Sequence, residues 1–290
     1  MAIAIQLVNG IALGFIYCLI AIEYSIVFNT SGLMNLGHDK YIMLGAYIFG
    51  GTYAIGLALP TIPSVLLTII TMVLVGIFVG SVAFNPLRHL ASTYAITGCL
   101  SLSLMLVQLV RLVYGSVPFT VPGFLSGIVR IGGVPITKSS IATIIIAIVI
   151  LIAQWIMMMK TKVGRAMRAV SQDTKASAIM GINVNKLMLF TTGLSIGLCG
   201  LIGTLLVPLY GISTNMTLSI ANKAFCASVV GGFGNINGAI VGGLFVGIAE
   251  AVYSILGGPG IYKDMVSFIM IVAFLLFRPQ GILGQSVRRN

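Results

Sequence analysis

The chain has 290 residues, of which 58% are hydrophobic and only 7% are charged, whereas a soluble domain carries roughly 25% charged residues. Such a composition cannot cover a water-exposed surface, so it excludes an ordinary soluble protein and indicates an integral membrane protein. The net charge of +11 is expected to reflect basic residues on the cytoplasmic side of a membrane, not binding to nucleic acid.

A membrane-spanning helix needs roughly 20 mostly apolar residues, and eight segments of the sequence meet this measure. The predicted spans are 5–28, 41–59, 62–83, 92–112, 140–159, 187–207, 237–256 and 262–277. A shorter apolar helix is predicted at 218–231, which gives nine crossings if it spans the bilayer and eight if it crosses only in part. The sequence therefore predicts an all-α fold, with residues 1–290 forming a single transmembrane domain built as a polytopic helical bundle in which some helices are broken or re-entrant.

Glycines spaced by four recur within these spans. Such small faces let helix backbones approach closely in lipid, where dispersion between helices replaces the hydrophobic effect. Tight helix packing is predicted at five such pairs: Gly10/Gly14, Gly76/Gly80, Gly193/Gly197, Gly238/Gly242 and Gly243/Gly247.

Two glycine-rich turns share the pattern Gly-x-x-Asn and each leads into a glycine-rich apolar helix. The first turn motif is residues 31–38 (SGLMNLGH) and the second turn motif is residues 231–238 (GGFGNING). Weak internal similarity of this kind is typical of transporters built from repeated halves, and glycine allows a helix to be interrupted where freed backbone groups face a cavity. The candidate pathway or gate residues are Gly32, Asn35, Gly37, His38, Gly232, Asn235 and Asn237; the alternative is a purely structural interruption. For His38, a role in proton coupling is weighed against that of a polar boundary residue.

The long connection at 113–139 is predicted to lie outside the cell membrane. Its residues 127–137 (GIVRIGGVPIT) place alternating apolar residues around Gly132-Gly133, which is typical of a β-hairpin. This hairpin is either a small lid facing a periplasmic partner or a plain connecting loop.

Residues 160–186 form the chain's only sizeable polar face, and we call them the coupling segment. They carry seven charges: Lys160, Lys162, Arg165, Arg168, Asp173, Lys175 and Lys186. A helix is predicted over Val163–Met180, ended by Gly181 in the left-handed conformation, with Ala169 and Ala176 two turns apart on one face. A short helix on the cytoplasmic surface is well placed to receive force from a soluble partner.

The distribution of basic residues predicts the orientation. With the coupling segment in the cytoplasm the N-terminus lies outside, and the tail after Arg278 lies inside if the short helix crosses. Eleven basic residues are then inside (Lys40, Arg88, six in the coupling segment, Arg278, Arg288 and Arg289) and four outside (Arg111, Arg130, Lys138 and Lys263).

Three charged residues are predicted within the membrane, where charges are usually paired or line a cavity. They are Glu23, Lys223 and Glu250. We predict a Lys223–Glu250 ion pair that fixes the short helix to the helix after it; the alternative for these two residues is direct contact with a substrate.

Motifs for nucleotide hydrolysis and metal catalysis are missing from the sequence. It contains neither a G-x-x-x-x-G-K-[ST] phosphate loop nor an HExxH zinc pattern. The chain is therefore expected to have no catalytic, cofactor or metal site, and not to hydrolyse ATP alone.

Several motifs together resemble the permease subunits of branched-chain amino acid ABC importers, over nearly the whole chain. They include Asn9-Gly with Gly14 and Tyr17, the stretch Met34-Asn-Leu-Gly-His38, Gly164-Arg-Ala-Met-Arg-Ala169, Asp173 with Ala176 and Gly181-Ile182, Lys223-Ala-Phe225 with Gly231, Gly232 and Gly234, and the tail stretch Arg278-Pro-Gln-Gly.

This resemblance implies the helical fold of the larger class of ABC importers and a location in the bacterial inner membrane. It implies that the residues matching the coupling helix, which docks into a groove of an ATPase subunit, are Gly164, Arg165, Arg168, Ala169, Asp173, Ala176, Gly181 and Ile182. The implied partners are two ATP-binding cassette subunits that hold ATP and Mg, a second similar permease chain in a heterodimer, a periplasmic substrate-binding protein and membrane lipid.

The predicted substrate is a branched-chain or related aliphatic amino acid. Permeases of similar shape carry urea, short amides or sugars, and these stay open as alternatives. The rivals from other classes are a stand-alone channel or secondary transporter, which moves solute without a nucleotide partner, and a membrane scaffold with no pathway.

Overall fold

The computed structural model of the chain describes residues 2–32, 35, 37–87, 92–131, 134–278 and 280–284. In this part the fold is mainly helical, with one two-stranded hairpin and an isolated antiparallel bridge between Phe119 and Ile212. The helices are α1 Ala2–Ser31, α2 His38–Tyr47, α3 Thr61–Val79, α4 Asn85–Leu87, α5 Ser92–Tyr114, α6 Lys138–Lys160, α7 Lys162–Gln172, α8 Thr174–Ile179, α9 Val184–Tyr210, α10 Leu218–Gly231, α11 Ile236–Ile255 and α12 Lys263–Phe277. A π-helix extends α2 over Ile48–Gly56, another extends α3 over Gly80–Phe84, and a 3-10 turn at Gly260–Tyr262 precedes α12. The residues discussed above that lie outside the described ones are Leu33, Met34, Leu36, Arg88, Gly132, Gly133, Pro279, Arg288 and Arg289.

Seven helical runs in the described ranges are long and apolar enough to cross a membrane. They are Ile3–Ser31, Thr61–Leu87, Thr93–Tyr114, Lys138–Lys160, Val184–Tyr210, Ile236–Ile255 and Gly260–Phe277, and each coincides with a predicted span. The eighth predicted span, 41–59, is helical over 38–56 but is not among the seven, because its first turn is the polar His38-Asp39-Lys40. The short helix α10 has the predicted bounds.

The predicted hairpin is present in the connection between α5 and α6. Strand β1 (Ile128–Ile131) pairs with strand β2 (Val134–Thr137) in antiparallel register, with Ile128 opposite Thr137 and Ile131 opposite Val134. The Lys138 N–H then donates to the Gly127 carbonyl at 3.0 Å, so the hairpin closes directly at the first residue of α6.

Two compact units make up the chain, and the first comprises Met1–Ser25, Leu125–Ile152 and Ser219–Asn290. In this unit the predicted glycine faces of α1 and α11 meet. A Cβ atom added to Gly14 would lie 3.3 Å from the Gly243 carbonyl oxygen, and one added to Gly247 would lie 2.7 Å from the Gly10 carbonyl oxygen. Glycine is therefore required for this spacing of the two backbones.

The second unit comprises Ile26–Phe124 and Ala153–Leu218, and α9 is its central helix. This helix packs against α2 and α3, and most of its residues are buried. A Cβ atom on Gly76 of α3 would lie 2.8 Å from the Gly193 Cα atom of α9. Because α9 begins at Val184, the core of this unit is joined in sequence to the coupling segment.

Candidate functional site

The coupling segment leaves α6 through a tight turn at Thr161. The Thr161 side chain accepts a hydrogen bond from the Gly164 N–H at 3.2 Å and so caps α7. A Cβ atom on Gly164 would collide with the Met157 and Met158 carbonyl groups. Glycine at position 164 therefore allows α7 to start with only Thr161 between it and the end of α6.

The segment contains two helices where one was predicted, so the single helix over Val163–Met180 is wrong. Asp173 stands between α7 and α8 with extended backbone angles, φ −152° and ψ 110°. Its N–H donates to the Ala169 carbonyl, while its carboxylate accepts from the N–H groups of Lys175 at 2.8 Å and Ala176 at 2.9 Å. The predicted shared face of Ala169 and Ala176 is also wrong, because these residues lie on different helices.

The end of α8 has the predicted glycine cap. Gly181 has φ +88°, and its N–H donates to the Ala178 carbonyl while the Ile182 N–H donates to the Ser177 carbonyl, both at 3.1 Å. This pair of bonds is a Schellman motif. Asn183 then caps α9 by accepting from the Lys186 N–H at 3.1 Å.

The two arginines of the segment differ in their surroundings. Arg165 is exposed, whereas Arg168 is partly buried and its Nη1 lies 2.9 Å from the Met159 sulfur. The apolar face of α7, formed by Gly164, Met167 and Val170, is buried. Arg165 is therefore the more accessible of the two charges.

Sequence reasoning missed two residues of this segment. Ile179 is 86% exposed and Met180 is 83% exposed, and they adjoin each other at the end of α8. The signal that would have found them is an adjacent pair of large apolar residues in an otherwise polar stretch.

The first turn motif connects α1 to α2 and its polar groups are bonded within the second unit. Asn35 is buried, and its Oδ1 accepts from the Gly37 N–H at 2.9 Å. His38 Nδ1 lies 2.9 Å from the Asn35 carbonyl oxygen and its Nε2 lies 3.2 Å from Ser195 Oγ on α9. Gly32 adopts the left-handed conformation with φ +68°. His38 thus joins the start of α2 to α9.

The second turn motif connects α10 to α11 and uses its asparagine in the same way. Asn235 Oδ1 accepts from the N–H groups of Asn237 at 3.0 Å and Gly238 at 3.3 Å, which caps α11. Its Nδ2 donates to the Leu283 carbonyl at 2.7 Å. Gly232 has φ +111°. The pathway or gate role of both motifs stays a prediction.

The segment after α12 runs alongside this second motif. The N–H of Ile282 donates to the Val230 carbonyl at 2.8 Å, and the N–H of Leu283 donates to the Gly231 carbonyl at 3.0 Å. Residues 280–284 therefore satisfy carbonyl groups that the end of α10 would otherwise leave without helical partners.

The predicted Lys223–Glu250 ion pair is present, with 3.0 Å between Lys223 Nζ and Glu250 Oε1. Lys223 Nζ also lies 2.8 Å from Asp264 Oδ1, and Lys263 Nζ lies 3.7 Å from Glu250 Oε2. We call these four residues the charge cluster. The sequence prediction missed Asp264 and Lys263, because nothing in the sequence indicates that the start of α12 lies beside α10.

Hydroxyl groups complete the charge cluster. Glu250 is 1% exposed and accepts from Tyr17 at 3.1 Å and from Ser267 at 3.0 Å. Asp264, whose side chain is 49% exposed, accepts from Ser219 at 2.9 Å. The cluster thus joins α1, α10, α11 and α12 and has equal numbers of positive and negative charges. The third predicted intramembrane charge, Glu23, is buried in α1.

Within the described ranges, no group of three or more histidine, cysteine or acidic residues could hold a metal ion. What the arrangement offers is a set of helices connected by capped turns, with a polar segment of two short helices between α6 and α9.

Comparison with known proteins identifies a family. The model of the family "branched-chain amino acid transport system / permease component" matches residues 6–275. The chain is 33% identical to the high-affinity branched-chain amino acid transport system permease protein BraD of Pseudomonas aeruginosa, over 97% of this chain and 95% of the relative. It is 32% identical to the corresponding protein LivH of Escherichia coli strain K12, with the same coverage.

A solved structure shares the fold. PsaBC from Streptococcus pneumoniae, determined in complex with a Fab, superposes with a TM-score of 0.53 at 13% sequence identity, covering 96% of this chain and 92% of that chain. On the family match and on identity over nearly the full length, the chain belongs to the family of branched-chain amino acid transport system permease components.

Proposed function

We propose that the chain is the permease subunit of an ATP-driven importer that moves branched-chain or related aliphatic amino acids across the bacterial inner membrane. Residues 1–290 act as one permease domain. The coupling segment is the observation that best supports the proposal. In a chain with only 7% charged residues, it forms two short, capped helices: α7, whose apolar face is buried, and α8, which is exposed except at Ser177. Such a polar surface between apolar helices is suited to contact with a soluble partner.

In this proposal the energy for transport comes from separate subunits. Two ATP-binding cassette subunits bind ATP and Mg and bind one conformation of the permease more tightly than the other, which is the requirement for a ligand to shift a conformational equilibrium. A second, similar permease chain completes the membrane part, and a periplasmic binding protein delivers the amino acid. The similarity to BraD and LivH, both named as high-affinity branched-chain amino acid permeases, supports this substrate class.

The orientation in the proposal has the C-terminus in the cytoplasm, and contacts within the first unit support it. The start of α10 lies beside the start of α12, because Ser219 bonds to Asp264. The end of α10 lies beside the segment after α12, because Ile282 bonds to Val230. At 1.5 Å per residue, α10 and α12 are each about 20 Å long, so α10 covers the same depth as α12 and counts as a crossing.

Charge reversal in the coupling segment tests the proposal. The double substitution Arg165→Glu with Arg168→Glu is expected to abolish binding of the ATPase subunits to the purified permease, because it replaces two positive charges by two negative ones at the docking surface. Binding is measured by co-purification from membranes, and folding by the thermal unfolding of the permease.

The matched control is Arg130→Glu with Lys138→Glu, two exposed basic residues on the side predicted to be external. This control is expected to retain the ATPase subunits. Normal docking by the Arg165/Arg168 variant would contradict the proposal, as would amino acid flux through vesicles that contain only this chain.

A further inference from the structure

Ile179 and Met180 are unusual for their surroundings. They are 86% and 83% exposed, yet the residues around them, from Asp173 to Lys186, are mostly polar or small. In a membrane protein an exposed apolar side chain is ordinary where lipid covers it. In the polar coupling segment, two adjacent exposed apolar side chains form a small apolar patch suited to contact with another molecule.

The fold holds this pair in a fixed position. The carboxylate of Asp173 caps the start of α8 with two hydrogen bonds, and the Schellman bonds of Gly181 and Ile182 close its end. Asn183 then starts α9. A pair presented by a preorganised turn loses little conformational entropy when it binds.

The packing of the segment favours a protein partner over lipid. A helix that lies on a bilayer keeps its apolar residues on the side that faces the lipid, but the apolar residues of α7 are buried against the permease. Within α8 every residue except Ser177 is exposed, so the helix stands clear on several sides, as a projection that fits into a cavity does.

The charges around the pair define the chemistry of that cavity. The coupling segment has six basic residues against one acid, Asp173, which gives a net charge of +5 over 27 residues. A complementary surface is therefore acidic at its rim and apolar at its centre.

We propose that Ile179 and Met180 are the anchor of the permease on its ATPase subunit and enter an apolar pocket with an acidic rim there. This inference rests on the proposed function and adds to it a division of roles. Buried apolar anchors dominate the binding energy and slow dissociation, whereas the basic residues at the rim accelerate association and give it salt dependence.

The first experiment measures the kinetics of ATPase subunits binding to the full permease in lipid nanodiscs. The variant Ile179→Ser with Met180→Ser is expected to weaken binding about 30-fold or more, the size typical of a lost hot spot, through faster dissociation and with an unchanged salt dependence. The conservative variant Ile179→Leu with Met180→Leu is expected to bind within about threefold of the parent, because volume-conserving apolar exchanges are tolerated.

The serine variant and the charge-reversed variant distinguish failure of the anchor role from failure of the proposed function. Binding of the serine variant at the parent's strength overturns the anchor role but leaves the proposed function standing. If the ATPase subunits also bind the Arg165→Glu/Arg168→Glu variant normally, the proposed function fails, and the anchor fails with it.

The second experiment distinguishes a protein pocket from lipid as the cover of the pair. Ala178→Cys, an exposed position on α8 beside the pair, is labelled with an environment-sensitive fluorophore in nanodiscs, since the four native cysteines are buried. A water-like emission that shifts to the blue on addition of the ATPase subunits supports the proposal. An emission that is already blue-shifted and does not respond to them shows that lipid covers the residue and overturns it.

Discussion

At the residue scale, the charge cluster shows how four charges are held inside a helical membrane protein. Glu250 is almost fully buried. Its carboxylate is paired with Lys223 and has further contacts with Tyr17, Ser267 and the more distant Lys263. Asp264 differs because its side chain is half exposed. The burial of each residue therefore decides what its removal does to the free energy of unfolding.

Lys223→Met is predicted to lower the free energy of unfolding by about 3–5 kcal/mol, because it leaves the buried Glu250 carboxylate without its close counter-ion. Lys263→Met is the matched control, since its nitrogen lies 3.7 Å away and is partly exposed, and it is expected to lower it by about 1 kcal/mol or less. Thermal unfolding of the purified permease measures both.

Combining Lys223→Met with Glu250→Gln is expected to restore most of the lost stability. The glutamine is neutral, its carbonyl oxygen still accepts from Tyr17 or Ser267, and Asp264 keeps its bond from Ser219. A double variant as unstable as Lys223→Met would show that the pair does not fix these helices.

At the element scale, helix positions were predicted closely, because a span is set by a long apolar run that the sequence shows directly. The start and end of α10 coincide with the predicted 218–231. The break in the coupling segment was missed for a physical reason: the helical pattern continues across Asp173, and only the competition between its side chain and the backbone interrupts it. An aspartate followed by Thr174-Lys175 is the signal of a helix start that a search for one long helix overlooks.

The charge cluster shows which contacts of the candidate site can be predicted from the sequence and which cannot. The pair Lys223–Glu250 was predictable because α10 and α11 are neighbours in the chain. Asp264 and Lys263 were not, because a sequence does not record how α12 packs back against α10. The exposure of Ile179 and Met180 is likewise a property of the folded surface.

The break at Asp173 yields a prediction about α8. Asp173→Ala removes two hydrogen bonds to the amides of Lys175 and Ala176, and loss of such a cap costs about 1 kcal/mol. Amide hydrogen exchange across residues 174–180 is therefore expected to accelerate roughly fivefold, while α9 is unchanged. Asp173→Asn keeps an oxygen acceptor and is expected to exchange close to the parent rate; equal acceleration in both variants would show that the charge, and not the cap, stabilises α8.

At the scale of the whole molecule, three features are typical of a helical membrane protein with a docking segment. They are the apolar composition, the glycine pairs and the short coupling segment. Seven described helices are apolar enough to cross a membrane, while one polar segment joins α6 to α9, the central helix of the second unit. A force applied to that segment acts directly on a long helix whose residues are mostly buried in that unit. This connection is the physical basis for expecting a partner's movement to reach the membrane part.

The same architecture predicts which side of the membrane each polar segment occupies. The start of α10 lies beside the start of α12, and its end lies beside the segment after α12. We therefore predict that α9 to α12 make an even number of crossings, and that the tail and the coupling segment are reached from the same side of the membrane. Single cysteines replacing Gln280 and Lys175, both exposed, are expected to react with a membrane-impermeant maleimide only in inside-out vesicles. Lys138→Cys, at the base of the hairpin, is the control expected to react only in right-side-out vesicles.

Labelling of Gln280→Cys from the outside, with Lys175→Cys labelled from the inside, would mean that α10 enters and leaves on the same face. The tail's basic residues would then lie on the wrong side for the distribution of positive charge that orients membrane proteins. The hydrogen bonds from Ile282 and Leu283 to the end of α10 argue against that outcome, since a helix that returned to its own side would end far from the segment that follows α12.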